Sequence, residues 1–409
     1  MCESENGKYF GYGGDFGENI HDGNYCLDGL VSAERIPYSG AREVKAVYQN
    51  IKATLGEDDL IHITNLYDFL SLAHIELVWE LERDGEVISC GKLEDLPIAP
   101  HGSAAFDLDF SLPNFCRYGC HLNLSFRLKE DAAWAAADFE VAFTQIKLPV
   151  KREKEHFLYP DILPIVEISD EYYHIHADDF HYVFNRLYGG FDSIIKDGKE
   201  RLKGRTRFGI WRPFGGADAA IKGKWTMQED SSWNKSENYD KVSTRVYESD
   251  VRLEGNDVVI LVKQSLCPIS KMPLVHMSVE YRVKPDGEIV VSTDAHVRED
   301  ATWLLRFGFE LVLDGDKDHV SYYANGTEEN YVDLCHHVKT GLYSTRVDDD
   351  YVQKAFPQEQ GNHTGRFGCL FPIMIKTVFS FLWEMRVNLN SVPHIIPSRI
   401  SIAPDIIVI

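Results

Sequence analysis

Short runs in which apolar and polar side chains alternate dominate the chain, and a period of two is the signature of half-buried β-strands. HIELVWELERDGEVISCGKL carries two such runs around Asp84-Gly85, where the glycine accepts the positive φ of a tight hairpin turn. After the loop Ala99-Pro100-His101-Gly102 the alternation returns in AAFDLDFSL and CHLNLSFRLK, and AADFEVAFTQIKLPV closes the set. Together these runs predict an immunoglobulin-like sandwich over residues 44–150, from Val44 to Val150. KREKEHFLYPD, charged and then proline-bearing, reads as a linker over 151–162. From Leu163 the pattern resumes in EYYHIHADDFHYVFNR, GNDVVILVKQSL, LVHMSVEYRVKPDGEIVVSTDAHV and WLLRFGFELVL, with a second turn at Lys284 to Gly287. Long strands with so few helical stretches predict a large antiparallel sandwich. The opening stretch, YGGDFGENIHDGNYCLDGLV running extended into Arg35-Ile36-Pro37, belongs to neither sandwich.

Length and composition narrow the picture. A chain of 409 residues with 44% hydrophobic and 12% aromatic residues can bury two or three cores. The net charge of −22 argues against a nucleic-acid footprint, which needs clustered Lys and Arg. No apolar run reaches the ~18–20 residues of a membrane-spanning helix. The N-terminus lacks the basic and apolar regions of a secretory signal, so a cytoplasmic protein is expected and Asn325-Gly326-Thr327 is expected to stay unglycosylated. Eight cysteines without a CxxC pair fit reduced thiols rather than a zinc site.

Candidate chemistry is sparse. His174, His176 and His181 with Asp178 and Asp179 form the most metal-like cluster. Tyr173, Ile175 and Ala177 take the alternate positions, however, so a solvent-facing strand accounts for the pattern. Glu328-Glu329, His336-His337 and Asp348-Asp349-Asp350 read as solvated turns, because adjacent strand residues point to opposite faces. Trp211, Trp225 and Trp233 crowd a loop-rich stretch with Arg212, Asp218 and Lys224, where exposed indoles could stack on sugar rings and core packing is the common alternative. There is no nucleophile elbow, Walker loop or dinucleotide fingerprint. The residues alone support a mostly β protein with a possible carbohydrate-binding role.

A longer pattern goes further. YGGDFGENIHDGNYCLDGLVSAERIPYSGAREVKAVYQNI resembles the end of the catalytic barrel of glycoside hydrolase family 2 β-galactosidases running into the following immunoglobulin-like domain. GIWRPFGGADAAIKGKW resembles the family's WRAPTDND stretch, with GGAD standing where TDND is usual. LLRFGFELVL, YYANGTEENYVDL and AFPQEQGNHTG follow in the order of the family's large C-terminal, galactose-mutarotase-like sandwich. The resemblance covers about residues 7–365 and implies a mostly β chain: a remnant of a (β/α)8 barrel over 1–43, the immunoglobulin-like sandwich, then a large, truncated antiparallel β-sandwich over 163–365.

It also implies a retaining glycosidase acting on terminal β-D-galactose of lactose-type substrates, with magnesium and a monovalent cation (sodium or potassium) as cofactors and a homo-oligomer when complete. Retention needs two carboxyl groups ~5 Å apart, and in the family's order both glutamates precede this segment. The chain is therefore expected to carry no catalytic residue and to be inactive without the N-terminal and barrel segments. Tyr25 and Asp28 in YCLDGLV match the family's cation- and substrate-binding loop, by a backbone carbonyl and a side-chain oxygen. The magnesium ligands fall on other segments. A stand-alone carbohydrate-binding sandwich and a complementing small subunit are the alternatives, and both predict a start between domains.

After Gly365 the composition changes: through Ile409 only Glu384 and Asp405 are acidic, and the family pattern lapses. Shifting the frame across IMIKTVFSFLWEMRVNLNS lets the genetic code give DNDKDGLLFSLGDEGEFEFS, with acidic-glycine turns and an alternating strand closer to the family pattern. Residues 366–409 are therefore read as a frame-shifted, non-native tail with no place in the sandwich.

Overall fold

The computed structural model describes residues 2–408 except 6, 28, 154–162, 216–237, 300, 302–303, 316–317, 356–357, 366–367, 371–379, 382–398 and 403–406. It opens with a small hairpin, β1 (Cys2–Ser4) against β2 (Gly7–Tyr9), followed by a loop and the helix α1 (Ser39–Val47). The sequence reading starts the first sandwich at Val44, but Val44 lies in this helix and sandwich strands begin at Ile51. A nine-residue helix is shorter than the ~11–18-residue window over which a helical period is read, so it does not stand out from the alternating runs around it.

The first sandwich contains β3 (Ile51–Leu55), β4 (Ile61–Asn65), β5 (Ile75–Arg83), β6 (Glu86–Leu93), β7 (Ser103–Phe106), β8 (Cys120–Leu128) and β9 (Glu140–Lys147). A three-stranded sheet, β3-β4-β7, faces a four-stranded one, β6-β5-β8-β9. The alternation sets the core directly: Ile75, Leu77, Trp79 and Leu81 of β5 point inward onto Ile51, Ile61 and Ile63. At the β5–β6 turn Asp84 and Gly85 both take positive φ, 58° and 90°, as a right-twisted two-residue hairpin requires. The Asp84 carboxylate also accepts the N–H groups of Arg117, Tyr118 and Gly119, pinning the start of β8.

The second sandwich is larger. Its strands are β10 (Ile165–Ile168), β11 (Tyr172–His176), β12 (Phe180–Asn185), β13 (Gly190–Lys196), β14 (Lys199–Glu200), β15 (Gly204–Gly209), β16 (Val242–Glu254), β17 (Asp257–Pro268), β18 (Val275–Val283), β19 (Ile289–Val297), β20 (Gly308–Val312), β21 (His319–Gly326), β22 (Lys339–Arg346), β23 (Gly368–Leu370), β24 (Ser380–Phe381), β25 (Arg399–Ile402) and β26 (Ile407–Val408). Two five-stranded antiparallel sheets, β10-β11-β12-β13-β14 and β16-β17-β18-β19-β25, enclose its core. Phe184 and Phe191 meet Tyr281 edge-to-face, at 5.1 Å and 5.6 Å between ring centroids. Two deeply buried tyrosine hydroxyls are satisfied: Tyr281 donates to the Gly189 carbonyl at 2.9 Å and Tyr182 to that of Gly287 at 2.6 Å. The molecule is thus mostly β, two sandwiches preceded by a short segment of other architecture.

Within the stretch read as a non-native tail, β25 pairs with β19 and β23 with β21. This departs from the expectation of no place in the sandwich. Edge pairing uses backbone N–H and C=O groups alone, so any extended segment can add to an open edge. Of the linker only residues 151–153 are described: the Cys116 N–H donates to the Lys151 carbonyl, holding them to the first sandwich, while 154–162 lie outside the described residues. Among the described residues no helix is long and apolar enough to cross a membrane.

The N-terminal segment exposes Phe16 (71%), Ile20 (98%), Tyr25 (74%) and Ile36 (56%). Clustered on one short stretch, such side chains favour association despite the net charge of −22. The purified chain is expected to elute from size exclusion as oligomers; a monodisperse monomer would contradict this.

Candidate functional site

The loop that carries Tyr25 is built on glycines. The Gly13 N–H donates to the Gly23 carbonyl at 2.9 Å, and a Cβ on Gly13 would sit 2.9 Å from that same oxygen. Gly14, at φ 96°, leaves room for the His21 ring. Glu18 accepts from Gly14 and Phe16, and the Gly14 N–H holds its carboxyl below the usual range. Tyr25 then falls in a 3-10 turn, Gly23–Leu27, with its ring exposed and its N–H on the Asp22 carbonyl at 3.2 Å. Asp28 lies outside the described residues. Among the described residues no group of three or more His, Cys, Asp or Glu side chains is arranged to hold a metal ion. His174, His176 and His181 share the outer face of β11 and β12, while Tyr173 and Ile175 are buried, as the alternation implies.

Chain connectivity carries this loop into a dense polar junction. Tyr38 leads into α1, which docks on residues 328–337 of the second sandwich. Ser39 donates to Glu329 at 3.4 Å, and Arg42 pairs with Glu328. Glu43 accepts from His336 Nδ1 at 2.6 Å and His337 Nδ1 at 2.8 Å, and from the backbone N–H groups of both. Burial pushes the Glu43 carboxyl up, but the hydrogen bonds from His337 and His336 outweigh it and leave it below its ordinary value. Glu329 is 3% exposed, ion-paired with Lys354 and bonded to the Gly361 N–H at 3.0 Å. Behind it, Asn330 binds the Thr364 N–H through its side-chain oxygen at 2.7 Å, and Asp350 accepts from His363 Nε2 at 2.9 Å.

The expectation of solvated turns fails at three of these positions. Glu329 and the His337 side chain are buried, and Asp350 is half-buried against His363. The alternation argument addresses only neighbours on one strand, whereas these residues are covered by groups up to 294 positions away. Glu328, Asp348 and Asp349 do face solvent or its margin. Ser39, Glu43 and Lys354 form the other half of the junction and were not singled out by spacing. Their signal lay in the family-like motifs containing them, SGAREVKAV and AFPQEQGNHTG with its preceding Lys.

The half-exposed Trp211 follows β15, and neighbouring Arg212 donates from Nε to the Leu305 carbonyl at 2.9 Å. The Arg212 charge acts on the buried Tyr331 hydroxyl, which brings Arg212 to the margin of the same junction. Trp225, Trp233, Asp218 and Lys224 lie outside the described residues. The junction also engages the first sandwich: Tyr323 stacks on Tyr118 at 5.2 Å, and Gln145 exchanges two hydrogen bonds with Thr340, at 2.8 Å and 2.7 Å.

Three family models match the three parts meeting here. Residues 2–53 match the TIM barrel domain of family 2 glycosyl hydrolases, 61–149 match domain 4 of β-galactosidase, and 176–366 match the β-galactosidase small chain. A β-galactosidase of Actinobacillus pleuropneumoniae is 32% identical over 359 residues, 87% of this chain and 34% of that protein. Those of Vibrio cholerae and Staphylococcus xylosus are 29% and 26% identical, over 88% and 87% of this chain and 35% of each relative. The chain therefore spans about a third of the length of the curated relatives it matches. Its end-of-barrel segment, first sandwich and large sandwich are the C-terminal domains of the β-galactosidases of glycoside hydrolase family 2, the family to which this chain belongs.

Proposed function

We propose that the chain serves as the C-terminal portion of an enzyme that releases terminal non-reducing β-D-galactose from lactose-type β-galactosides with retention, and that alone it has no hydrolytic centre. The observation that carries this reading is the extent of the barrel match, residues 2–53, against the ~250 residues of a whole barrel. Retention requires paired carboxyl groups ~5 Å apart, supplied in this family by barrel segments preceding the matched stretch. In the complete enzyme the junction around Glu43 and Glu329 holds the barrel's last segment against the large sandwich.

Tyr25 and Asp28 offer a backbone carbonyl and a carboxylate, hard oxygens suited to a monovalent cation beside the galactose 6-hydroxyl. Such a cation would fix the sugar's hydroxyl and screen the carboxylate. The described residues provide no comparable set for magnesium. A complementing subunit is the second reading, favoured by the small-chain match over 176–366. The DNA immediately upstream separates the two. An in-frame barrel carrying both glutamates supports a single long enzyme, whose extended product should hydrolyse β-galactosides. A stop codon and an independent start there would favour the subunit.

The tail after Gly365 is, on this account, the product of a frame slip. The small-chain match ends at residue 366, next to that position. Sequencing the coding DNA is expected to recover the family pattern in the alternative frame. Early stop codons there would sink the idea.

A further inference from the structure

An open groove of about 500 Å³ lies on the face of the β16-β17-β18-β19 sheet, remote in sequence from the Tyr25 loop. Tyr247, Lys263, His276, Ser278, Asp294 and His296 line it. The register explains their convergence. Lys263, Ser278 and Asp294 are direct cross-strand partners in one row, and His276 and His296 are partners in the next row on the same face. With strands ~4.8 Å apart, these rows form a grid of donors and acceptors. Tyr247 closes one side, while the backbone of β25 borders the other at Asp294 and His296.

Tyr247 is a pre-set platform. Its hydroxyl shares a hydrogen bond with Ser265 Oγ at 2.9 Å, and its ring lies 6.1 Å from that of His276 at 20° between planes. The Arg245 guanidinium sits 5.5 Å from the same ring and further limits its motion. The ring nevertheless remains about half exposed toward the groove. Charge bears on the class of ligand. Lys263 is met by Glu248 at 2.7 Å, and Asp294 supplies a negative charge within the lining, so no excess of either sign is offered. An anion would want unpaired cations, and a cation would want clustered carboxylates. A neutral polyol wants what the groove has: an aromatic face plus groups that both donate and accept. The volume lies within the usual range for small-molecule sites.

We propose that this groove is a saccharide-binding subsite for a neutral mono- or disaccharide, separate from any sugar site completed by the barrel. Saturation-transfer NMR on the 409-residue chain, which reads oligomers as well as monomers, is expected to detect transfer to galactose or lactose. Tyr247→Ala should weaken that binding roughly tenfold or more, and Tyr247→Phe, which keeps the platform, should retain most of it. Circular dichroism confirms that each variant keeps its β structure. Absence of transfer to both sugars, loss of the sugar signal when inorganic phosphate is added as competitor, or sugar binding indifferent to Tyr247→Ala overturns the proposal. Because the readout is binding, the result is independent of whether the chain hydrolyses anything.

Discussion

Glu329→Ala is expected to destabilise the large sandwich by about 3 kcal/mol or more, whereas Glu328→Ala, one residue away, should cost less than about 1 kcal/mol. The difference follows from solvent. Glu329 is 3% exposed and joins Lys354, the Gly361 N–H and Ser39 of α1. Removing it leaves a largely buried ammonium and a backbone donor without their acceptor, and both desolvation costs persist. Glu328 pairs with Arg42 where the side chains are 31% and 49% exposed, so water replaces much of what is lost. Urea unfolding of the two variants checks the stability difference, and limited proteolysis locates it. The Glu329 variant should be cut faster in residues 350–364 and near α1. Equal urea midpoints for the two variants would show that the junction does not hold the segments together.

Glu288→Gln should stabilise the protein at pH 8 by roughly 2 kcal/mol more than it does at pH 5. Glu288 follows the Lys284–Gly287 turn, and it is buried. Burial first, and then the Asp286 charge, push its carboxyl up to about 7 from its ordinary value of 4.5. A folded-state value above the unfolded one means the folded protein binds the proton more tightly. The associated stability is therefore full below about pH 4.5 and is lost progressively as pH rises through about 7. Glutamine mimics the protonated form at every pH, so its advantage should grow across that window. Thermal melts at the two pH values test the sign; an advantage that shrinks as pH rises would refute the burial argument.

Most of the fold was legible because a period of two is local information. The alternation in IELVWELER fixes which residues of β5 enter the core, and Asp84-Gly85 and the Lys284–Gly287 turn mark the hairpins that fix register. Three features were not legible. The helix Ser39–Val47, at nine residues, is shorter than the window over which a helical period is read. The burial of Glu329 and His337 depends on α1, some 290 residues earlier, and no window along the chain contains both sides. The groove at Tyr247 arises from the register of four strands, so the exposed residues that line it, such as Lys263, Ser278 and Asp294, look in sequence like ordinary outward-facing positions. Of the two residues proposed to hold a cation, Tyr25 sits on an exposed turn, and Asp28 lies outside the described residues.

The central claim is that these domains belong to a β-galactosidase whose chemistry resides on other segments. Hydrolysis of a chromogenic β-galactoside by the purified 409-residue chain tests it most directly. The account predicts release indistinguishable from a buffer blank at every enzyme concentration, because it places both carboxyl groups that retention needs on barrel segments preceding this one. Turnover that scales with the chain's concentration and survives rigorous repurification would contradict it.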